Sequence, residues 1–261
     1  MNISLKGKRA LVGGSSRGIG KAIVQQLAES GASVALMARN EEKLKAIISK
    51  LPVSKGQKHN YLLVDFNDYE GYRKTISRFF ETHEIDILVN NTQGPKAGGV
   101  LDVEVSDYQE AFDVLFKGIV YTTQLALHQM IKNKWGRIIN VASISVKEPL
   151  SYLALSNSIR AALVTWAKTL ATDVAQYQIT VNSILTGYFD TERINDLNAT
   201  KALQLGISIN EVRHNMEQQV PMKRIGDPKE YGFLVAFLAS EQASYITGTQ
   251  IPIDGGLLKS L

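Results

Sequence analysis

Short apolar runs alternate with helix-like stretches along the whole chain, and that alternation constrains the fold more than any other feature. Runs at 9–13, 33–38, 61–65, 85–90, 137–142, 179–184 and 250–254 are bounded by turn residues and read as seven strands. Most are apolar at consecutive rather than alternate positions, as in strands buried on both faces. Such strands separated by helices predict an α/β fold, a doubly wound, seven-stranded parallel sheet with helices on both faces. Helix starts are expected at Asn67 with Glu70, Ser106 with Gln109 and Ser208 with Glu211, each spaced as a capping box. Asp227-Pro228-Lys229-Glu230 adds a cap, a first-turn proline and an acid in order, and Gly31 ends the helix that begins near Ile19. With no linker or repeat, residues 1–261 are expected to form a single domain. The only long irregular stretch, 185–226, follows the sixth strand and has room for one or two helices. Ligands of open α/β sheets bind at that edge, so the stretch is a candidate substrate lid.

Composition removes several classes of chemistry. The 261 residues include no cysteine, which excludes disulfides, a thiol nucleophile and Cys-ligated metal. Redox chemistry would therefore need a bound organic cofactor. His59, His83, His128 and His214 are scattered and match no metal-ligand spacing, so no metal is expected. The longest apolar run, 233–239, is far below the ~18 residues of a membrane span. The first nine residues are too short and polar for a signal-peptide core, and the chain is expected to be cytoplasmic, with no membrane partner. A net charge of +4 spread along the chain gives no reason to expect nucleic acid binding. Trp135 and Trp166 read as packing residues.

The first strand runs into Gly13-Gly14-Ser15-Ser16-Arg17-Gly18-Ile19-Gly20 and then a helix. Glycines at 14, 18 and 20 permit a tight turn, close backbone approach and close helix–strand packing, so that a diphosphate can sit on a helix N-terminus. The alternative is a tight turn of structural value only. Position in the first strand-to-helix turn favours dinucleotide binding.

This G-x-x-x-G-x-G spacing resembles that of the short-chain dehydrogenase/reductase family. Asp65 after the third strand, Asn90-Asn91-Thr92-Gln93-Gly94 after the fourth, Val181-Asn182, Thr186-Gly187, Thr191 and Asp254-Gly255-Gly256 match its later landmarks in order. The resemblance covers essentially the whole chain and is nearest to the 3-oxoacyl-(acyl carrier protein) reductase-like members. It implies a Rossmann-type fold, a nicotinamide cofactor and a small carbonyl or acyl-thioester substrate. The implied cofactor contacts are Gly14, Ser16, Arg17, Gly18, Ile19, Gly20, Arg39, Asp65, Phe66, Asn91, Arg160, Phe189 and Thr191. It also implies a homotetramer or homodimer built on the C-terminal region, where 231–239 is an apolar helix segment; packing of that helix on its own sheet is the alternative for about half its apolar positions.

The second strand ends in Ala38-Arg39-Asn40, with no acid to bond a ribose 2′-hydroxyl. Arg39, with Arg17, can instead pair with a 2′-phosphate, which predicts NADP(H) over NAD(H); the alternative is two solvated surface arginines.

The family's catalytic Ser, Tyr, Lys and Asn are only partly matched. Ser143 fits the serine. Ser156-Asn157-Ser158-Ile159-Arg160 aligns with Y-x-x-x-K, placing Ser156 and Arg160 at the Tyr and Lys positions, and Leu115 stands at the Asn position. Tyr152 and Tyr188 are alternative proton donors, with packing roles as the simpler reading. A serine hydroxyl and a permanently charged guanidinium cannot relay protons as Tyr and Lys do. Two functions follow: an NADP(H)-dependent oxidoreductase with an atypical centre at Ser143, Ser156 and Arg160, or an NADP(H)-binding sensor or non-catalytic subunit.

Overall fold

The computed structural model describes residues 3–260; Met1, Asn2 and Leu261, the ends of the expected 1–261 unit, lie outside the described residues. Seven strands form one sheet: β1 Arg9–Val12, β2 Ser33–Ala38, β3 Asn60–Leu63, β4 Ile87–Asn90, β5 Gly136–Val141, β6 Ile179–Thr186 and β7 Gln250–Ile253. Their order is β3-β2-β1-β4-β5-β6-β7 with every pair parallel, as the alternation predicts. β4 and β5 are buried at every position, which is why they read as unbroken apolar runs. The edge strand β7 alternates between exposed and half-buried positions instead.

Among the described residues nine α-helices follow the strands: α1 Gly18–Glu29, α2 Glu41–Ile48, α3 Tyr69–Thr82, α4 Val105–Phe112, α5 Gly118–Asn133, α6 Ala154–Val174, α7 Glu192–Leu205, α8 Ile209–Gln219 and α9 Pro228–Ala239. One apolar layer sets Ile23, Leu27, Tyr231 and Val235 of α1 and α9 against the sheet. The other sets Ile76, Met130, Ala167 and Ala171 of α3, α5 and α6 against the opposite face. A Cβ at Gly232 would stand 2.9 Å from the Ala22 carbonyl oxygen, so α1 and α9 cross at a distance that only glycine permits. Tyr231, Val235, Leu238 and Ala239 pack inward from α9, and Phe233 faces outward.

Two helix starts differ from expectation. Asp68, not Asn67, caps α3 by accepting from the Gly71 amide at 3.0 Å, and Asn67 instead accepts from the Gln93 side chain at 2.5 Å. Glu104 with Asp107 forms the box at α4, two residues before the expected Ser106 and Gln109. In both places a carboxylate beside the expected cap offers the same acceptor. Ser208 and Asp227 cap α8 and α9 as expected.

β1 leads outward through β2 and β3, and β4 then returns to the other side of β1. The turns after β1 and β4 therefore diverge at a crevice on the C-terminal edge of the sheet, where open α/β sheets hold ligands. Among the described residues no helix is long and apolar enough to cross a membrane. No group of three or more His, Cys, Asp or Glu among them could hold a metal ion.

Candidate functional site

The glycine turn lines this crevice. The Gly13 amide donates to the Val89 carbonyl at 3.1 Å, and the Asn91 side-chain amide donates to the Gly13 carbonyl at 2.9 Å. A Cβ at Gly13 would lie 2.1 Å from the Asn91 carbonyl oxygen, and one at Gly20 2.2 Å from that of Gly14. Gly14 and Gly18 have φ of +55° and +51°, a region that side chains rarely enter. Ser15 turns inward onto the Met37 carbonyl, so Ser16, Arg17, Gly18 and Ile19 form the rim. No side chain caps α1, which leaves its first-turn amides for a ligand. A cradle closed to any Cβ, with free amides at a helix N-terminus, fits the diphosphate of a dinucleotide.

At the β2–β3 end of the crevice, Arg39 leans toward Asp65 with 3.9 Å between Nη1 and Oδ2, and both are exposed. An exposed pair at that distance is weak and leaves the guanidinium free to turn to a phosphate. Asp65 lies two residues beyond β3, with Oδ1 accepting from the Asn67 amide at 3.0 Å. Phe66 is buried against Tyr72, with ring centroids 5.5 Å apart, so only its main chain faces a ligand.

The other end lies over β5 and β6. Ser143 Oγ accepts from the Ser145 amide at 3.1 Å, and its own hydrogen stays available. Ser156, in the first turn of α6, is buried. One turn on, Arg160 Nη1 donates to the Val141 carbonyl. Burial pulls the Arg160 pKa down to about 10; nearby Tyr231 acts to raise it and nearby Arg193 to lower it further. Leu115 is 1% exposed and sits in a π-helical turn, Asp113–Lys117, between α4 and α5. Such widened turns recur at functional sites, but this one carries no polar side chain at its centre. Tyr152 exposes 41% of its surface, yet desolvation of its hydroxyl pushes its pKa up, and a hydrogen bond with Tyr188 adds to the effect. The Tyr231 hydroxyl, buried behind the site, meets the Thr186 hydroxyl at 3.0 Å, and burial pushes its pKa up.

The stretch 185–226 holds α7 and α8 as anticipated, although β6 runs on to Thr186. Phe189 is buried against Tyr231, with 5.4 Å between centroids, so it too can offer a ligand only main chain. Thr191 caps α7, and its methyl group would stand 3.2 Å from a Cβ at Gly18, which brings the start of α7 onto the glycine turn. Two residues later, Arg193 reaches across to donate to the Pro95 carbonyl at 2.8 Å. Sequence reasoning passed over Arg193. The available signal was a cation in the first turn of a helix, where the dipole disfavours one.

The crevice thus gathers Gly14, Ser16, Arg17, Gly18, Gly20, Asn91 and Thr191 at the glycine turn, Arg39 and Asp65 at one end, and Ser143 and Arg160 at the other, with Ser156 buried one turn before Arg160 on α6. The family model described as enoyl-(acyl carrier protein) reductase matches residues 14–258. The 3-oxoacyl-(acyl-carrier-protein) reductase FabG of Aquifex aeolicus is 32% identical over 258 residues, spanning 98% of this chain and 100% of that protein. The oxidoreductase UcpA of Salmonella typhimurium is 36% identical over 258 residues, spanning 97% of this chain and 95% of that protein. The crystal structure of L-sorbose reductase from Gluconobacter frateurii, complexed with NADPH and L-sorbose, matches with a TM-score of 0.92 at 30% identity, covering 100% of both chains. With end-to-end matches of this strength on the same seven-stranded sheet, the chain belongs to the short-chain dehydrogenase/reductase family, among its 3-oxoacyl-(acyl carrier protein) reductase-like members.

Proposed function

We propose that the protein is an NADP(H)-dependent oxidoreductase acting on a carbonyl or secondary alcohol of a small molecule or acyl thioester, with Ser and Arg at the usual Tyr and Lys positions. The observation that carries this reading is the glycine cradle at the strand-order switch, flanked by Arg17 and Arg39 and by no acid at the end of β2. In this reading residues 1–261 act as one unit with 185–226 as its lid. Exposed Phe233 and Tyr245 support a homotetramer or homodimer.

Gly14, Ser16, Gly18, Ile19 and Gly20 would hold the diphosphate, and Arg17 and Arg39 the 2′-phosphate. Asp65 and the Phe66 main chain would meet the adenine, and Asn91, Arg160, the Phe189 main chain and Thr191 the nicotinamide half. The nicotinamide would supply or accept the hydride. Ser143 donates its free hydrogen to the oxygen that becomes an alkoxide, Ser156 adds a second hydroxyl, and Arg160 supplies fixed positive charge. None of the three can release a proton near neutral pH and burial disfavours ionisation of Tyr152, which leaves water, the substrate or Tyr188 as the proton source. Loss of general acid–base assistance typically costs ~10²- to 10⁴-fold.

A second reading, an NADP(H)-binding sensor or non-catalytic subunit, is favoured by Arg160 being tied to the Val141 carbonyl and by buried Leu115. Single-turnover oxidation of bound NADPH against 3-oxoacyl thioesters, ketones and aldehydes separates the two. The oxidoreductase reading expects slow turnover that falls in Ser143→Ala and rises ~10²- to 10⁴-fold in Ser156→Tyr/Arg160→Lys/Leu115→Asn. Tight NADPH binding without turnover on any substrate establishes the second reading. Arg39→Asp is expected to weaken NADPH binding selectively, and unchanged NADPH affinity refutes the assignment of the 2′-phosphate site.

A further inference from the structure

Arg193 occupies a place that electrostatics alone disfavours. It is the second residue of α7, in the first turn after the cap Thr191, where the macrodipole presents positive charge. Two further guanidiniums stand near it: the charge of Arg17 on the glycine turn lowers the Arg193 pKa, and the charge of Arg193 lowers that of Arg160. Arg193 is exposed at the mouth of the crevice, and Asp196 is the acid whose field reaches it. Among the described residues, none of Arg17, Arg160 and Arg193 makes an ion pair. The uncapped N-terminus of α1 adds a second positive helix end, brought close by the Thr191–Gly18 contact. Three unpaired guanidiniums and two helix N-termini converging on one crevice repel one another and together attract an oxyanion.

The geometry also says which oxyanion. Arg193 Nη2 is 3.5 Å from where a Gly94 Cβ would stand, on the turn that follows β4, and its helix starts against the glycine turn through Thr191 and Gly18. The cradle read above as the diphosphate site is the part of the crevice that α7 approaches, so the oxyanion nearest Arg193 is the cofactor's diphosphate.

We propose that Arg193 is a phosphate arm carried by the lid: its guanidinium, 2.8 Å from the Pro95 carbonyl in this structure, grips the cofactor diphosphate between Arg17 and Arg160, so that diphosphate binding and seating of α7 are one event. The proposal rests on the dinucleotide reading above.

The test is equilibrium binding of NADPH, NADH and adenosine 2′-monophosphate, which lacks the diphosphate, to wild type, Arg193→Gln and Arg193→Lys. One charge-assisted bond predicts that Arg193→Gln weakens NADPH and NADH alike by roughly 10- to 100-fold and leaves adenosine 2′-monophosphate unchanged. Arg193→Lys recovers part of the loss, because it keeps the charge without the fork. Amide hydrogen exchange across α7 slows on NADPH addition in wild type and not in Arg193→Gln. Unchanged NADPH affinity in Arg193→Gln overturns the arm, and a raised KM for anionic substrates in that variant would assign Arg193 to a substrate carboxylate. An equal loss for adenosine 2′-monophosphate, or a large fall in Tm, overturns it in favour of a structural role. Wild type that binds neither dinucleotide overturns the dinucleotide reading together with the arm.

Discussion

Replacing Arg160 by methionine should leave the fold as stable or more stable while impairing cofactor binding. Burial pulls the Arg160 pKa down to about 10, which corresponds to about 3 kcal/mol of disfavour for the charged side chain at ~1.36 kcal/mol per unit. Against this stands its hydrogen bond to the Val141 carbonyl, worth roughly 1.5–3 kcal/mol for a charged donor. The two nearly cancel, and a methionine of similar length restores apolar contact, so the net gain is about 0–2 kcal/mol, the direction seen when buried charges give way to apolar groups. For a chain of this size that is a rise in Tm of up to about 8 °C. The same variant loses the charge proposed to hold the nicotinamide ribose, and NADPH affinity should fall about 10-fold. Calorimetry without cofactor, paired with an NADPH titration, reads both quantities. The linkage has a definite sign: the folded pKa lies below the unfolded one, so above about pH 10 the unfolded chain binds more protons and this group's contribution to stability rises with pH. At neutral pH the penalty is fully present. A fall in Tm of more than about 5 °C in Arg160→Met would show that the guanidinium is a structural tie and refute the reasoning.

Gly13→Ala places a Cβ 2.1 Å from the Asn91 carbonyl oxygen, and because backbone opposes backbone the strain should cost at least about 2 kcal/mol and be read as a lower Tm with weaker NADPH binding. Gly94→Ala is the control, since its Cβ would meet only Arg193 at 3.5 Å, and its effect on Tm should correspond to within about 0.5 kcal/mol. Arg213 on α8 pairs with Asp190 through bonds of 3.0 and 2.9 Å and holds the Asp190 carboxyl below its ordinary 3.8. This tether is present above the ordinary carboxylate pKa and is lost as pH falls through the depressed one, so limited proteolysis within 185–226 should accelerate at the acid end and should do so at neutral pH in Asp190→Asn. Equal cleavage of wild type and Asp190→Asn at neutral pH would show that the pair does not hold the lid.

The parts of this molecule that were legible in the sequence are those where one force dominates. Strands buried on both faces, such as β4 and β5, admit only apolar side chains, and the glycine turn admits no Cβ at Gly13 or Gly20; both demands leave unambiguous letters. Helix starts were legible only to within two residues, because Asn67 and Asp68, or Glu104 and Ser106, are equally able acceptors and the incoming chain direction chooses between them. Side-chain direction was not legible at Phe66 and Phe189, whose rings turn into the core against Tyr72 and Tyr231. Arg193 was invisible because its meaning lies in proximity to Arg17, far away in sequence, and to Pro95, which only the return of α7 over the glycine turn creates.

In the proposed reading fixed groups, Ser156 and Arg160, stand where titrating ones are usual, and that exchange has a kinetic consequence. A Tyr and Lys pair titrates near neutrality when each tunes the other. Here the hydroxyls of Ser143 and Ser156 do not titrate in the accessible range. Burial lowers the Arg160 pKa but leaves its guanidinium charged across the physiological range, and burial pushes Tyr152 and Tyr231 up, away from neutrality. If water or the substrate supplies the proton, the hydride-transfer step should be independent of pH from about 6 to 9, with no acid limb. Single-turnover rates with saturating NADPH test this directly, and a limb with a midpoint near 7 would reveal a general acid in the site and refute the account. In Ser156→Tyr/Arg160→Lys a limb should appear where none existed, because the same desolvation that lowers Arg160 would bring a lysine, ordinarily ~10.4, toward neutrality and restore a group that can lose its proton.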